Sequence, residues 1–512
     1  MTMVVGDQAA VRAFLEVLLA ARHGTQPVIR ETHISTILLA GDEAFKLKRP
    51  IRTPYLDFST PQLRLEACEA EIALNRRTAP GIYREARRIT READGKLTLD
   101  GTGELVDAVV TMARFDEDTL FDRLAETGRL DLPRLDALAD EIARFHDQAE
   151  ARPASDGAQR MREIIAMNTR SFTELNVFPQ AQIEALEAAF SAACAQHETL
   201  LDSRAARGRI RRCHGDLHLR NICMFEGSPQ VFDCIEFNQS LADIDTLYDL
   251  AFLLMDLRYR DLGWEACHVA NRYLDRTGDE DGFALLPFFM ALRAAIRALV
   301  AGTQIAEGAG TPELEKTAQD YLALAFRLLE PAPARLIAIG GLSGTGKSTV
   351  AEALAPRIGA APGARILESD RLRKALYGVS PETRLGPDAY EPDVSRHVYE
   401  TMRVRAEIIL AGGSTALVEA VFLDEREREA LRELADRLGV PFCGIWLDAS
   451  EAALRDRVAG RRGSASDAGL DVLAGQFARD AGEMTWHRVA ADQPVEAICD
   501  AISTLCHESR KE

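Results

Sequence analysis

The chain has 512 residues, is 47% hydrophobic and 28% charged, and carries a formal net charge of −19. This length exceeds one ordinary domain and predicts two or three. The acidic balance argues against general electrostatic binding to nucleic acid or to an anionic membrane, while leaving room for a local basic pocket. Nine scattered cysteines, an odd number without a Cys-x-x-Cys pair, fit a reduced cytoplasm better than a disulfide framework or a zinc site.

No basic region followed by an apolar core and a cleavage site opens the chain. Residues 8–22 read as an amphipathic helix with Val11, Phe14, Leu15 and Leu18 on one face. Residues 33–48 predict short strands around a turn, Pro61 to Thr78 a helix, and 106–115 (VDAVVTMARF) a strand. Residues 119–205 are mostly helical in pattern. A loop motif and two short strands follow, and helices then run to about residue 329. The most apolar stretch after that motif is LYDLAFLLMDL. It carries Asp249 and Asp256, is too short and too charged to span a bilayer, and reads as a buried helix.

LLEPAPARL, at 328–336, breaks the helical pattern with two prolines and divides the chain into residues 1–330 and 331–512. Beyond it, strands alternate with helices. LIAIGG, ARILESD, STALVEAVF and VPFCGIWLDA predict a doubly wound parallel sheet. The first part, a small strand-rich start before a large helical portion, predicts a two-lobed α+β architecture.

HGDLHLRN, residues 214–221, carries the first chemistry. His214, Asp216 and Asn221 have the spacing of a protein-kinase catalytic loop, which makes the two-lobed α+β part protein-kinase-like. An aspartate accepts the hydrogen bond of an attacking hydroxyl, and a neutral oxygen ligand one short turn away holds a magnesium ion. Asp233, twelve residues past Asn221, ends an apolar run where a second metal-binding carboxylate is needed.

With FD at 232–233 and DLA at 249–251, the motif resembles the aminoglycoside phosphotransferase family and its choline-kinase-like relatives over roughly residues 30–330. The resemblance implies that Asp216 orients and deprotonates the acceptor hydroxyl and that Asn221 and Asp233 ligate magnesium. His214 would be a structural part of the loop, and His218 would line it. The first lobe should supply a lysine for the α- and β-phosphates of ATP and a glutamate to hold it. Lys46 and Lys48, two apart on one strand face, are the candidates, with Lys46 preferred; Glu71 is the expected partner and Glu69 the alternative. Met112 to Arg114 would form the hinge beside the adenine. The chain departs from the family at Leu219-Arg220, at DCIEF, and in lacking a G-x-G-x-x-G before Lys46, where Gly41 would serve a shorter loop. These departures argue against an antibiotic as acceptor. They resemble a family of bacterial proteins that fuse this fold to an AAA-type ATP-binding domain.

The second constellation is GLSGTGKST. Gly341, Ser343, Gly344, Thr345, Gly346, Lys347, Ser348 and Thr349 form a phosphate-binding loop between a strand and a helix, the context that makes this motif specific. Backbone N–H groups turn inward around the phosphates, Lys347 bridges the β- and γ-phosphates, and the Ser348 hydroxyl completes a magnesium shell. Asp370, expected at the tip of the strand beside the loop, is a candidate general base, with Arg373 holding acceptor or phosphoryl oxygens. The simpler role for Ser369 or Asp370 is a helix N-cap. Arg457 and Arg461, at i and i+4 with Arg462 beside them, form a candidate catalytic lid over ATP, the alternative being an exposed basic helix end. Glu419 reads equally as a Walker-B-type carboxylate or as a strand-end residue. The half resembles polynucleotide-kinase-like, zeta-toxin-like and gluconate-kinase-like P-loop kinases over about 335–505.

The resulting expectation is a cytoplasmic bifunctional phosphotransferase using ATP and magnesium, with a small-molecule acceptor and no membrane partner. Two other classes stay open: a regulatory ATP-binding protein with a degenerate kinase part, and a nucleic-acid 5′-end kinase, which the acidic charge disfavours.

Overall fold

The computed structural model describes residues 3–4, 6–53, 56–460 and 466–508. Contacts group the chain into two compact units, Met1–Gly157 with Asp202–Leu253, and Ala158–Leu201 with Leu254–Glu512.

The first unit is built on a six-stranded antiparallel sheet. In spatial order its strands are Val28–Glu31, Ser35–Ala40, Glu43–Lys48, Glu104–Ala113, Tyr83–Arg91 and Leu97–Leu99. Side chains alternate across the sheet, so each face has its own helix. Phe45, Leu47, Leu38 and Val109 pack under Val11, Leu15 and Leu19 of the helix Ala9–His23. Ala44, Val110 and Met112 pack on the other face against Leu65, Cys68 and Ile72 of the helix Pro61–Asn75. Lys46 and Lys48 share that second face by parity. The helix begins where Thr60 accepts a hydrogen bond from the Leu63 N–H, with Pro61 in its first turn. Arg64 pins it to the sheet through Asp107, Nε to Oδ1 at 2.6 Å.

The second unit carries a five-stranded, wholly parallel sheet. Its spatial order is Arg365–Glu368, Ala416–Glu419, Leu336–Gly340, Phe442–Asp448 and His487–Ala490. In chain order this is 2-3-1-4-5, a doubly wound arrangement whose order reverses at the first strand. Fully buried apolar strands such as Leu336–Gly340 are what a sheet covered on both faces requires.

The helix containing LYDLAFLLMDL is Thr246–Tyr259, and its leucines are buried, as expected. The more apolar segment is Glu280–Ala309, long and apolar enough to cross a membrane; 67% of that window is buried within the protein.

Candidate active site

Strand parity and helix position bring the first constellation together. Lys46 Nζ donates to Glu71 Oε1 at 2.7 Å and also to Asp233 Oδ1. Lys48 Nζ donates to Glu71 Oε2 at 2.6 Å and to Glu236. Glu71 is fully buried between the two ammonium groups, whereas Glu69 is exposed, which decides between the two glutamates. Burial alone would raise the Glu71 carboxyl; Lys46 and Lys48 outweigh it and lower it to about 2. Burial likewise works against the Lys46 ammonium, but Asp233 and Glu71 hold it well above its ordinary value. Lys48 is fully buried and Lys46 nearly so, yet the Asp233 side chain beside Lys46 is 43% exposed. The two lysines therefore differ: one faces an open carboxylate, and the other is enclosed by buried ones.

Asp216 and Asn221 are coupled directly. Asn221 Nδ2 donates to Asp216 Oδ2 at 3.0 Å and to the Asp216 carbonyl at 2.9 Å. With the amide nitrogen so engaged, Oδ1 is the atom Asn221 offers a cation. The Phe232 N–H donates to the Asn221 carbonyl at 2.9 Å, which brings Asp233 alongside. Asp233 adopts a left-handed φ of 65°, uncommon for a residue with a side chain and characteristic of functional positions. An amide oxygen and a carboxylate make a hard oxygen donor set that fits magnesium. His218 Nε2 lies 3.3 Å from Asp216 Oδ2.

The loop is anchored by a residue whose role the sequence did not reveal. Asp249 accepts the His214 N–H at 3.0 Å and the Gly215 N–H at 2.8 Å, and His146 Nε2 lies 3.1 Å from it. Gly215 has φ 86°, and a Cβ there would meet the Leu241 carbonyl at 3.1 Å. His214 Nε2 lies 2.8 Å from the Phe232 carbonyl, so the imidazole joins the loop to the segment carrying Asp233. Glu236 was also missed. Its signal was Lys48 itself, since a second buried lysine requires a second carboxylate.

Gly41 does not serve the expected loop. It forms the turn before the strand Glu43–Lys48, whereas Lys48 pairs with Ser35, so the turn at 32–34 lies at the lysine end. Met112–Arg114, the expected hinge, lies at the end of the long strand, and the Arg114 N–H donates to the Asp42 carbonyl at 2.8 Å. A cleft of about 580 Å³ lined by Val28, Leu39, Gly41, Arg114 and Phe115 opens beside it. The Phe115 ring lies 5.1 Å from that of Phe232.

In the second unit the glycine loop leads from the strand Leu336–Gly340 into the helix Lys347–Leu354. Gly341 has φ 146°, and a Cβ there would sit 2.7 Å from the Leu447 carbonyl. Ser343 and Thr345 are buried, while Ser348 and Thr349 are exposed. Lys347 Nζ donates to the Leu342 carbonyl at 3.2 Å and lies 3.8 Å from Glu419 Oε1. Gln476, another unforeseen residue, accepts the Ser343 N–H at 2.9 Å and donates to its hydroxyl at 2.9 Å.

The loop strand is flanked by Ala416–Glu419 and Phe442–Asp448, and Arg365–Glu368 lies one place further out beyond Ala416–Glu419. The expectation that Asp370 ends the adjacent strand is thereby corrected; Glu419 holds that position. Asp370 instead lies in the first turn of the helix Ser369–Leu376, whose N-cap is Glu368. Arg373 is buried, donates to the Ala389 carbonyl at 2.6 Å, and lies 4.7 Å over the Tyr390 ring. Arg457 is on the helix Glu451–Gly460, whose Leu454 and Val458 crowd Gly344, and it donates to the Ala491 carbonyl at 3.0 Å. Arg461 and Arg462 lie outside the described residues. A cleft of about 510 Å³ lined by Asp448, Ser450, Arg488 and Asp492 opens at the carboxyl ends of two strands, where open α/β sheets bind ligands.

Known proteins match both halves. The phosphotransferase enzyme family matches residues 55–288, and an AAA domain family matches residues 336–480. Rv2004c of Mycobacterium tuberculosis and Mb2027c of Mycobacterium bovis are each 30% identical over 483 residues, covering 91% of this chain and 93% of the relative. Among solved structures, a choline/ethanolamine kinase family protein from Mesorhizobium loti is 13% identical. It covers 62% of this chain and 95% of its own at a TM-score of 0.41. A gluconokinase from Sinorhizobium meliloti 1021 is 27% identical and covers 35% and 96% at a TM-score of 0.25.

The fold is a kinase-like phosphotransferase domain followed by a parallel-sheet P-loop kinase-like domain, and the protein is an ATP-dependent phosphotransferase. It belongs to the family that joins a phosphotransferase enzyme domain to an AAA domain, shared over nearly the whole chain with the mycobacterial relatives.

Proposed function

We propose that this is a cytoplasmic bifunctional phosphotransferase whose two sites, in residues 1–330 and 331–512, each move the γ-phosphoryl group of ATP to a hydroxyl of a small molecule. The observation that carries the reading is the contact of Asn221 with Asp216, beside an Asp233 that Lys46 already holds. A degenerate kinase has no need to keep all four groups together.

In the first site, the Asp216 carboxylate takes the proton of the acceptor hydroxyl while Asn221 Nδ2 fixes its rotamer. Lys46 places positive charge where the α- and β-phosphates lie, and Glu71 holds its ammonium in place. Lys48 keeps Glu71 and Glu236 compensated rather than contacting nucleotide. Asn221 Oδ1 and Asp233 hold magnesium, which when bound supplies charge to stabilise the transferring phosphoryl group.

In the second site, the loop from Gly341 to Thr349 cradles phosphate with its N–H groups, Lys347 meets the β- and γ-phosphates, and Ser348 serves magnesium. Asp370 accepts the acceptor's proton, Arg373 holds the Pro387–Tyr390 turn against it, and Arg457 approaches from the helix over the loop. The scattered cysteines, an odd number without a Cys-x-x-Cys pair, support a reducing compartment.

The test is transfer of label from ATP into a small-molecule cell extract by wild type, Asp216→Ala and Lys347→Ala. Products lost separately in the two variants are expected. ATP hydrolysis without any labelled acceptor, unchanged in Asp216→Ala, would overturn the reading.

A further inference from the structure

The helix Gly263–Thr277 lies within the phosphotransferase family match, yet its side chains complete the P-loop sheet. The strand Arg365–Glu368 is an edge of that sheet. Asn271, fully buried, accepts the Ile366 N–H at 2.7 Å and donates to the Ala364 carbonyl at 3.1 Å. One side-chain amide thus satisfies an acceptor and a donor that a neighbouring strand would otherwise pair. Cys267, one turn earlier, belongs to the same apolar core as Ile337, Ile339 and Val350.

Arg272, the next residue, joins two parts of the P-loop site. Its Nη2 lies 3.5 Å from Glu352, on the helix that follows the loop, and 3.5 Å from Glu368, the residue immediately before the helix bearing Asp370. Its Nη1 is 3.0 Å from Asp275, which also meets Arg365 at 2.8 Å. Glu368 pairs in register with Glu419, itself 3.8 Å from Lys347. A chain of buried ionisable groups therefore runs from the helix Gly263–Thr277 toward the phosphate-loop lysine, with Glu368 and Glu419 side by side on adjacent strands and burial raising the Glu368 carboxyl.

We propose that Arg272 is a positioning residue for phosphoryl transfer at the P-loop site, fixing the Glu368–Asp370 corner relative to the helix that opens at Lys347. This rests on the reading of Lys347 and Asp370 given above. Arg272 touches no reacting atom; it acts through Glu352 and Glu368. The phosphotransferase half thereby sets the geometry of the second active centre through a side chain that no phosphate-loop motif contains.

The test uses the full chain and the ATP turnover that Lys347→Ala removes. Arg272→Lys keeps the charge but not the planar two-armed reach; Glu368→Gln keeps the shape but replaces one of the two oxygens that can accept from Arg272 with a donor. Arg272→Gln is the harsher third variant. In Arg272→Lys and Glu368→Gln, kcat should fall about tenfold or more with KM for ATP changed less than about threefold, because a misplaced catalytic corner impairs transfer more than binding. Amide exchange should accelerate in Ser369–Leu376 whether or not turnover is detected. Folded variants with wild-type kcat and unaltered exchange in that helix would overturn the proposal. Accelerated exchange, with turnover indifferent to Lys347→Ala, would uphold the packing role of Arg272 and overturn the catalytic reading of the P-loop and the proposed role in transfer.

Discussion

Asn221 holds the Asp216 carboxylate at 3.0 Å and uses its amide nitrogen to do so, which leaves Oδ1 as the atom it can offer a cation. Aligning the base and presenting a ligand are therefore two consequences of one side-chain orientation. Asn221→Asp keeps an oxygen ligand but sets two carboxylates against each other. Transfer by the first site should fall by about a hundredfold or more, the range of a lost general base. Product formation at saturating ATP and magnesium, against Asp216→Ala, checks this.

The two lysines should separate by assay. Lys48→Met leaves Glu71 and Glu236 buried without their shared cation, and breaking such a pair costs about 3–5 kcal/mol. Lys46→Met leaves Glu71 paired with Lys48, so nucleotide handling should fail before the fold does. Urea unfolding and ATP binding measured on both variants should rank them in opposite orders.

Glu71 also gives a pH signature. Its carboxyl is lowered from 4.5 in the unfolded reference to about 2 in the fold, so it favours the native state when ionised. That stability is complete above about pH 4.5 and is lost as pH falls through about 2. Glu71→Gln should be less stable than wild type at neutral pH, with the difference shrinking on acidification. A gap that stays constant as pH falls from about 4.5 toward about 2 would contradict it.

Gly341→Ala places a methyl group 2.7 Å from the Leu447 carbonyl and 2.9 Å from the Thr345 hydroxyl, at a φ of 146° that strains any residue with a side chain. Nucleotide affinity of the P-loop half should drop by about tenfold or more, as expected where N–H groups must converge on phosphate. Titration with a fluorescent ATP analogue would measure it.

The sequence was most legible where chemistry imposes fixed spacing. Asp216, Asn221 and Asp233 form one set because a short loop must carry base and ligands, and Lys46 meets Glu71 because strand parity aims it at the helix Pro61–Asn75. The glycine loop was legible for the same reason. Partners drawn from distant chain segments were not. Asp249 reaches the loop from 34 and 35 residues away, and Gln476 meets Ser343 across 133. Asp370 was misplaced by one strand because alternating pattern reveals strands without revealing their spatial order. Gly41 was assigned to the wrong turn because two turns bracket the same strand, Ser35–Ala40.

The amide of Asn271 has one more consequence, for how this chain can be divided. A fragment starting after LLEPAPARL would contain every residue of the glycine-loop motif, yet its outermost strand would present the Ala364 carbonyl and Ile366 N–H unanswered. A bare strand edge invites another copy to pair with it. Separating the halves at the proline linker would therefore expose a surface for self-association, and the covalent join doubles as protection against aggregation.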